Sequence, residues 1–314
     1  MKKGGCLMVK KCFVFISILF LAAFLMGGGQ AIYKAKLGQA TKAKLKVFIS
    51  VDMEGIAGIV SADQTSPDGK DYGLTRRWMT EETNAAIQGA VDAGATEIVV
   101  NDSHGGMKNL IAGEINPAAY LITGTPKPLS MMQGVDDAFD AVIFIGYHAQ
   151  AGSKDGVLDH TYSGSSIYSV KINGVEMGEY GLNAAIAGCY GVPVVLVAGD
   201  EEVCRQAKKL LGENLETAPV KAGIGRYAAK TLVPAKAQEL IREKAKAALE
   251  KRSQMKPFKV SSPVKFDVDF LYSYQADGAE MIPGVKRTGP RSVSFVQDDF
   301  IQGFKLFRAL LSLA

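Results

Sequence analysis

Four short, nearly continuous apolar runs rich in β-branched residues set the tightest limit on how this chain can fold: KVFISVD at 46–52, TEIVVND at 96–102, AVIFIGYH at 141–148 and PVVLVAGD at 193–200. Helical patterns separate and follow them. Leu74–Ala93, rich in Ala and Glu and closed by Gly94, lies between the first two runs, and Gly181–Cys189, Glu201–Leu211, Pro234–Lys251 and Asp299–Leu313 read as further helices. Strands apolar along their whole length need cover on both faces, and helices in alternation supply it. The expected fold is therefore α/β, a three-layer α/β/α arrangement around a largely parallel sheet. Thr161–Val175 breaks the rhythm with alternating Ser, Tyr and Val and an Asn173-Gly174 turn, which predicts a hairpin and hence a mixed central sheet. The last helix carries Phe300, Phe304, Phe307 and Leu310 on a wide apolar arc, so it must pack deeply or meet a neighbouring subunit.

The body that these elements build spans residues 45–314, and the 314-residue chain is long enough for a sizeable buried core. Ahead of it, residues 32–44 form a Lys/Ala-rich linker. Residues 1–31 contain Lys10 and Lys11 followed by the apolar stretch Cys12–Met26, a signal-peptide pattern or, if retained, an N-terminal anchor. Export to a periplasmic or extracellular location is the expectation, with membrane contact only through an uncleaved leader. Lys2, Lys3, Lys10 and Lys11 account for the whole net charge of +4, leaving a neutral body. Such a body has no basic footprint for nucleic acid. Beyond the leader the cysteines are Cys189 and Cys204, which either remain buried free thiols or, in an exported protein, pair with each other.

Polar chemistry gathers where the strands end. Asp52 and Glu54 close the first run, Asn101, Asp102 and His104 the second, and His148 the third. In open α/β sheets ligands bind outside the carboxyl ends of the strands, so three separate segments aim at one crevice. The three histidines of the chain, His104, His148 and His160, all fall in this part of the sequence. Asp52 and Glu54, two apart on extended backbone, point the same way, while Met53 faces the packed side; Gly55 and Gly58 then let the chain turn. Glu179, flanked by Gly178 and Gly181, either caps a helix or approaches the same site. Carboxylates and imidazoles without thiolates suit a catalytic divalent ion, Zn²⁺ ahead of Mn²⁺ or Fe²⁺.

SVDMEGIAG at 50–58, VNDSHGGMKNL at 100–110, FIGYHA at 144–149 and MGEYGLNAAIAG at 177–188, together with MTEETNAA at 79–86 and VPVVLVAGD at 192–200, resemble the motifs of the DppA-type zinc-dependent D-aminopeptidases. The similarity runs from about Leu45 to the C-terminus. It implies that Asp52, Glu54, His104, His148 and Glu179 are metal ligands, with Asp52 bridging two ions, and that His160 is the catalytic histidine. Asp159-His160-Thr161 stands where the family more often has Ser-His-Ser, on a loop one residue longer. The resemblance further implies a homodecameric ring.

Five such ligands suit two zinc ions per subunit. The expected activity is removal of an N-terminal D-residue, such as D-Ala, from short peptides by metal-activated attack on the scissile carbonyl. His160 would act as nucleophile, or as proton shuttle or oxyanion partner. Asn183, one helical turn after Glu179, either contacts substrate or sits on the surface in mid-helix. Two other readings fit more generically: an amidase or L-specific peptidase on the same scaffold, or a non-catalytic exported solute-binding protein.

Overall fold

A computed structural model describes residues 44–314; the leader and most of the linker lie outside the described residues. Among the described residues no helix is long and apolar enough to cross a membrane. Seven strands form the main sheet in the spatial order β3 (Ala119–Ile122), β2 (Glu97–Asp102), β1 (Lys46–Val51), β4 (Ala141–Tyr147), β7 (Val194–Asp200), β8 (Glu216–Gly225), β9 (Ala228–Thr231). All neighbours pair in parallel except β8 with β9, whose antiparallel pairing ends the sheet.

Strand alternation sends side chains to two separate cores. Val47, Ile49 and Val51 of β1 join Ile143 and Ile145 of β4 in one, while Phe48, Val142 and Phe144 face the other. The first core is roofed by α1 (Tyr72–Asp92) and α4 (Pro234–Glu250), which pack on each other. Each fully buried Val, Leu, Ile or Phe contributes about 1.5–3 kcal/mol, so burial on both faces of the central strands is a main source of the fold's stability.

The opposite face carries more than helices. Next to α2 (Glu179–Cys189) and α3 (Glu201–Leu211), a five-stranded antiparallel sheet joins the second core. Its order is β11 (Lys286–Gly289), β12 (Ser292–Gln297), β10 (Val264–Phe270), β5 (Ile167–Ile172), β6 (Val175–Glu176). The expected hairpin is β5–β6, but it belongs to this second sheet. The central sheet is mixed because of β9 instead. Phe266 and Phe295 stack at 4.8 Å, and Phe300, Phe304 and Phe307 of α6 (Phe300–Leu313) pack into the same core, beside α5 (Ser273–Ala279). The apolar arc of the last helix is thus buried within the chain. Both body cysteines are free; Cys204 is buried, whereas Cys189, expected buried, is exposed.

Candidate metal centre

β2, β1 and β4 are neighbours, so their carboxyl ends open along one edge and bring Asp52, His104 and His148 to the same place. After Val51 the chain turns while still bonded to β4: Asp52 N–H donates to Ile145 O at 2.8 Å and Gly55 N–H to Gly146 O at 2.7 Å. Met53 is buried, whereas Asp52 and Glu54 both line the cavity of the site. Gly55 lies in the expected turn, closed by Ile56 N–H on Met53 O at 3.1 Å, and also allows close approach, because a Cβ there would lie 1.9 Å from Tyr147 O. Gly146, at φ +68°, would place its Cβ 2.1 Å from Asp52 O, so this glycine sets how closely the Asp52 and His148 segments pass.

The five expected ligands converge. His104 Nδ1 is 3.3 Å from Asp52 Oδ1 and 3.0 Å from Glu54 Oε2, and its Nε2–H is held by Thr65 O at 2.9 Å. His148 donates from Nδ1 to Ala149 O at 2.9 Å, and its Nε2 lies 3.5 Å from both Asp52 Oδ2 and Glu179 Oε1. That nitrogen is fully buried and has no hydrogen-bond partner. Glu179 opens α2, and its Oε1 accepts from Tyr162 N–H at 2.7 Å.

His160 enters from the loop between β4 and β5. Its ring stacks on His148 with centroids 4.1 Å apart and planes 15° from parallel, and its Nε2 is 3.5 Å from Glu179 Oε1. Leu158 O accepts from Nδ1 at 2.9 Å. Leu158 and Tyr162, on either side, both have left-handed φ, 53° and 61°. Such backbone costs about 1–3 kcal/mol per residue and persists only where surrounding contacts enforce it. Those contacts come from Asp159 and Thr161, the two neighbours of His160 in the chain. Asp159 Oδ2 accepts from Gly152 N–H at 2.7 Å, the Asp159 carboxylate pairs with Arg226, and Thr161 Oγ1 accepts from Ala151 N–H at 3.2 Å.

Asn183 is not on the surface. It is fully buried, accepting from Tyr162 Oη at 2.6 Å and donating to Tyr147 Oη at 2.8 Å, so its amide braces the residue whose backbone holds Glu179. Asp102 is likewise consumed locally: its carboxylate accepts from Leu110 N–H at 2.7 Å and Asn109 Nδ2 at 2.8 Å, organising the loop that carries His104.

Below the site lies a charge that the sequence reading missed. Lys221 of β8 is buried and donates to the carbonyls of Ile59 at 2.6 Å, Ile56 at 2.9 Å and Glu54, pinning the turn after the two acidic ligands. Burial brings its amine down to about 8. Glu82 of α1 accepts from Ala57 N–H at 2.9 Å on the same turn, and burial raises its carboxyl to about 8. Arg308 and Ser130 were missed as well. Both line the cavity of about 180 Å³ that holds Asp52, Glu54, His104, His160 and Glu179.

The donor set fits a cation. Burial opposes charge on both imidazoles, but Glu54 and Asp52 hold His104, and Glu179 and Asp52 hold His148, well above the usual range, so the carboxylates favour positive charge at the points where a bound cation would supply it. Burial would raise Glu179, but His148 beside it draws the carboxyl to about 2. Burial and the neighbouring Glu54 charge raise Asp52. Tetrahedral zinc ligands at about 2.0–2.1 Å stand roughly 3.4 Å from each other, close to the 3.0–3.5 Å separations found here. Two overlapping donor groups are present, Asp52–Glu54–His148 and His148–His160–Glu179. An orphaned, buried Nε2 facing two carboxylates is the specific sign that the cluster is built around a positive ion and not around its own hydrogen bonds.

The family described as D-aminopeptidase matches residues 45–309. Over 274 residues the chain is 40% identical to a D-aminopeptidase of Bacillus subtilis strain 168, covering 86% of this chain and 98% of that protein. The solved structure of the zinc-dependent D-aminopeptidase DppA from Bacillus subtilis, described as a self-compartmentalizing protease, superposes with a TM-score of 0.83 at 38% identity, over 86% of this chain and 97% of that one.

Proposed function

The chain belongs to the D-aminopeptidase family and is a zinc-dependent metallopeptidase, and from that premise we propose that Asp52, Glu54, His104, His148 and Glu179 hold two zinc ions in each subunit. The carbonyl-anchored His148 ring carries this reading, since its buried Nε2 finds no partner in the protein itself. Zinc held there supplies Lewis acidity toward a scissile carbonyl and lowers the pKa of a water toward about 7.

The chain's own groups then have distinct tasks. His160 keeps its Nδ1 proton on Leu158 O, which leaves Nε2 to take a proton from the attacking water and return it to the leaving amine. Glu179, 3.5 Å from that nitrogen, stabilises the imidazolium formed between the two transfers. Tyr162 N–H fixes the Glu179 carboxylate, and Asn183 fixes Tyr162.

The substrates on this reading are short peptides with an N-terminal D-residue such as D-Ala, the kind released by cell-wall turnover. Export by the leader would place the enzyme, periplasmic or extracellular, beside them. The chain would act as a closed homo-oligomer, ten subunits by family resemblance, in keeping with a relative described as self-compartmentalizing. The test is release of D-alanine from D-Ala–D-Ala by chelator-stripped protein with and without added Zn²⁺, alongside L-Ala–L-Ala. Zinc-restored cleavage of the D-peptide alone supports the reading. Equal cleavage of both would replace it with a peptidase lacking D-selectivity.

A further inference from the structure

Arg308 projects from the last turns of α6 into the cavity that contains the ligand cluster. Its guanidinium lies 5.3 Å from the centre of the Tyr162 ring, an aromatic face that steadies the group without neutralising it. Among the described residues it forms no ion pair and no side-chain hydrogen bond, although the body has as many acids as bases and most of its other arginines are paired. The same cavity presents a second unsatisfied donor, the buried hydroxyl of Ser130, held at a left-handed φ of 49°. Arg308 also lines an adjoining groove with Lys127 and Lys305, so the positive side of the site continues outward from it.

Beside the ligand cluster the cavity therefore presents an uncompensated guanidinium and an unsatisfied hydroxyl, both suited to an anionic group of a bound peptide. We propose that Arg308 binds the C-terminal α-carboxylate of the substrate and so selects very short peptides with a free C-terminus. This rests on the peptidase reading above and adds the group that measures the far end of the substrate. An extended dipeptide spans about 7 Å and a tripeptide about 11 Å, and a cavity of about 180 Å³ is small enough to favour the shortest peptides. Guanidinium and carboxylate pair through two parallel N–H···O bonds, which a neutral amide cannot reproduce.

The test compares D-Ala–D-Ala with D-Ala–D-Ala amide on zinc-loaded full-length enzyme, in wild type, Arg308→Met and Arg308→Lys. The expected wild-type preference in kcat/KM for the free acid is on the order of 10- to 100-fold. In R308M that preference falls to near one, chiefly through a higher KM for the acid, and R308K restores part of it. A ratio of two substrates on one preparation does not depend on the fraction of active enzyme, so partial misfolding cannot imitate the result. No wild-type preference, or a ratio unchanged in R308M, would overturn the proposal while leaving the peptidase intact. Failure of the zinc-loaded wild type to cleave either compound would overturn both.

Discussion

The imidazole of His160 lies flat on that of His148, 4.1 Å between ring centres, and both present Nε2 to the same oxygen of Glu179 at 3.5 Å. The two rings differ in how they are held: His148 is fully enclosed, whereas His160 is reached from the cavity. On the reading proposed above, His148 ligates and His160 moves a proton. His160→Ala is therefore expected to lower kcat by about 10²- to 10⁴-fold with little change in KM. Steady-state kinetics on D-Ala–D-Ala reads this directly, and a variant within threefold of wild type would remove His160 from the chemistry.

Lys221 satisfies three buried carbonyls on the turn that follows the acidic ligands. Lys221→Met leaves all three without a donor, at about 1–3 kcal/mol for each group. The variant is expected to lose several kcal/mol of stability in denaturant titration. Zinc affinity, measured by chelator competition, should weaken about tenfold or more, since the turn that orients Glu54 is released. Unchanged affinity in a destabilised protein would confine Lys221 to a folding role.

Glu82 gives stability a pH dependence of definite sign. Its carboxyl, ordinarily near 4.5, is raised by burial to about 8 in the folded protein. Between these values the native state keeps a proton that the unfolded chain has released, so this contribution is full below about 4.5 and is lost as pH rises toward 8. Glu82→Gln retains an acceptor for Ala57 N–H and cannot titrate. The variant should lose less stability than wild type between pH 5 and pH 8, as followed by chemical denaturation at each pH. Parallel profiles would show that Glu82 is ionised in the native state.

Asn183 acts at one remove from the chemistry, through the hydroxyls of Tyr162 and Tyr147. Asn183→Leu is expected to lower kcat roughly tenfold through a displaced Glu179, leaving the preference for free acid over amide untouched. Tyr162→Phe should produce a milder form of the same change. A shift in that preference in N183L would mean that Asn183 does meet the substrate.

Much of this was legible in the sequence because parallel strands buried on both faces leave an unmistakable apolar record, and because strand ends in such sheets are where polar groups collect. The runs at 46–52, 96–102, 141–148 and 193–200 became β1, β2, β4 and β7, and the five expected helices lie within two residues or so of their predicted bounds, whereas α5 was not foreseen. The second sheet was missed for a topological reason. β5 pairs with β10 almost a hundred residues later, and no local signal records that partnership. β8 contains Pro219 and two glycines, which ordinarily argue against a strand. Lys221 and Arg308 were overlooked because a lone cation reads as solvated until burial, or the cavity it faces, is known. Asn183 was read from helical position alone, which does not reveal that α2 is buried around nearly its whole circumference.

The central claim is that five side chains, distant along the polypeptide, gather around two zinc ions. Elemental analysis of protein dialysed against zinc and then against buffer tests it most directly. Two zinc ions per subunit are expected in wild type and in His160→Ala, falling to one or fewer in His104→Ala. Less than one ion per wild-type subunit, or equal loss in the two variants, would contradict it.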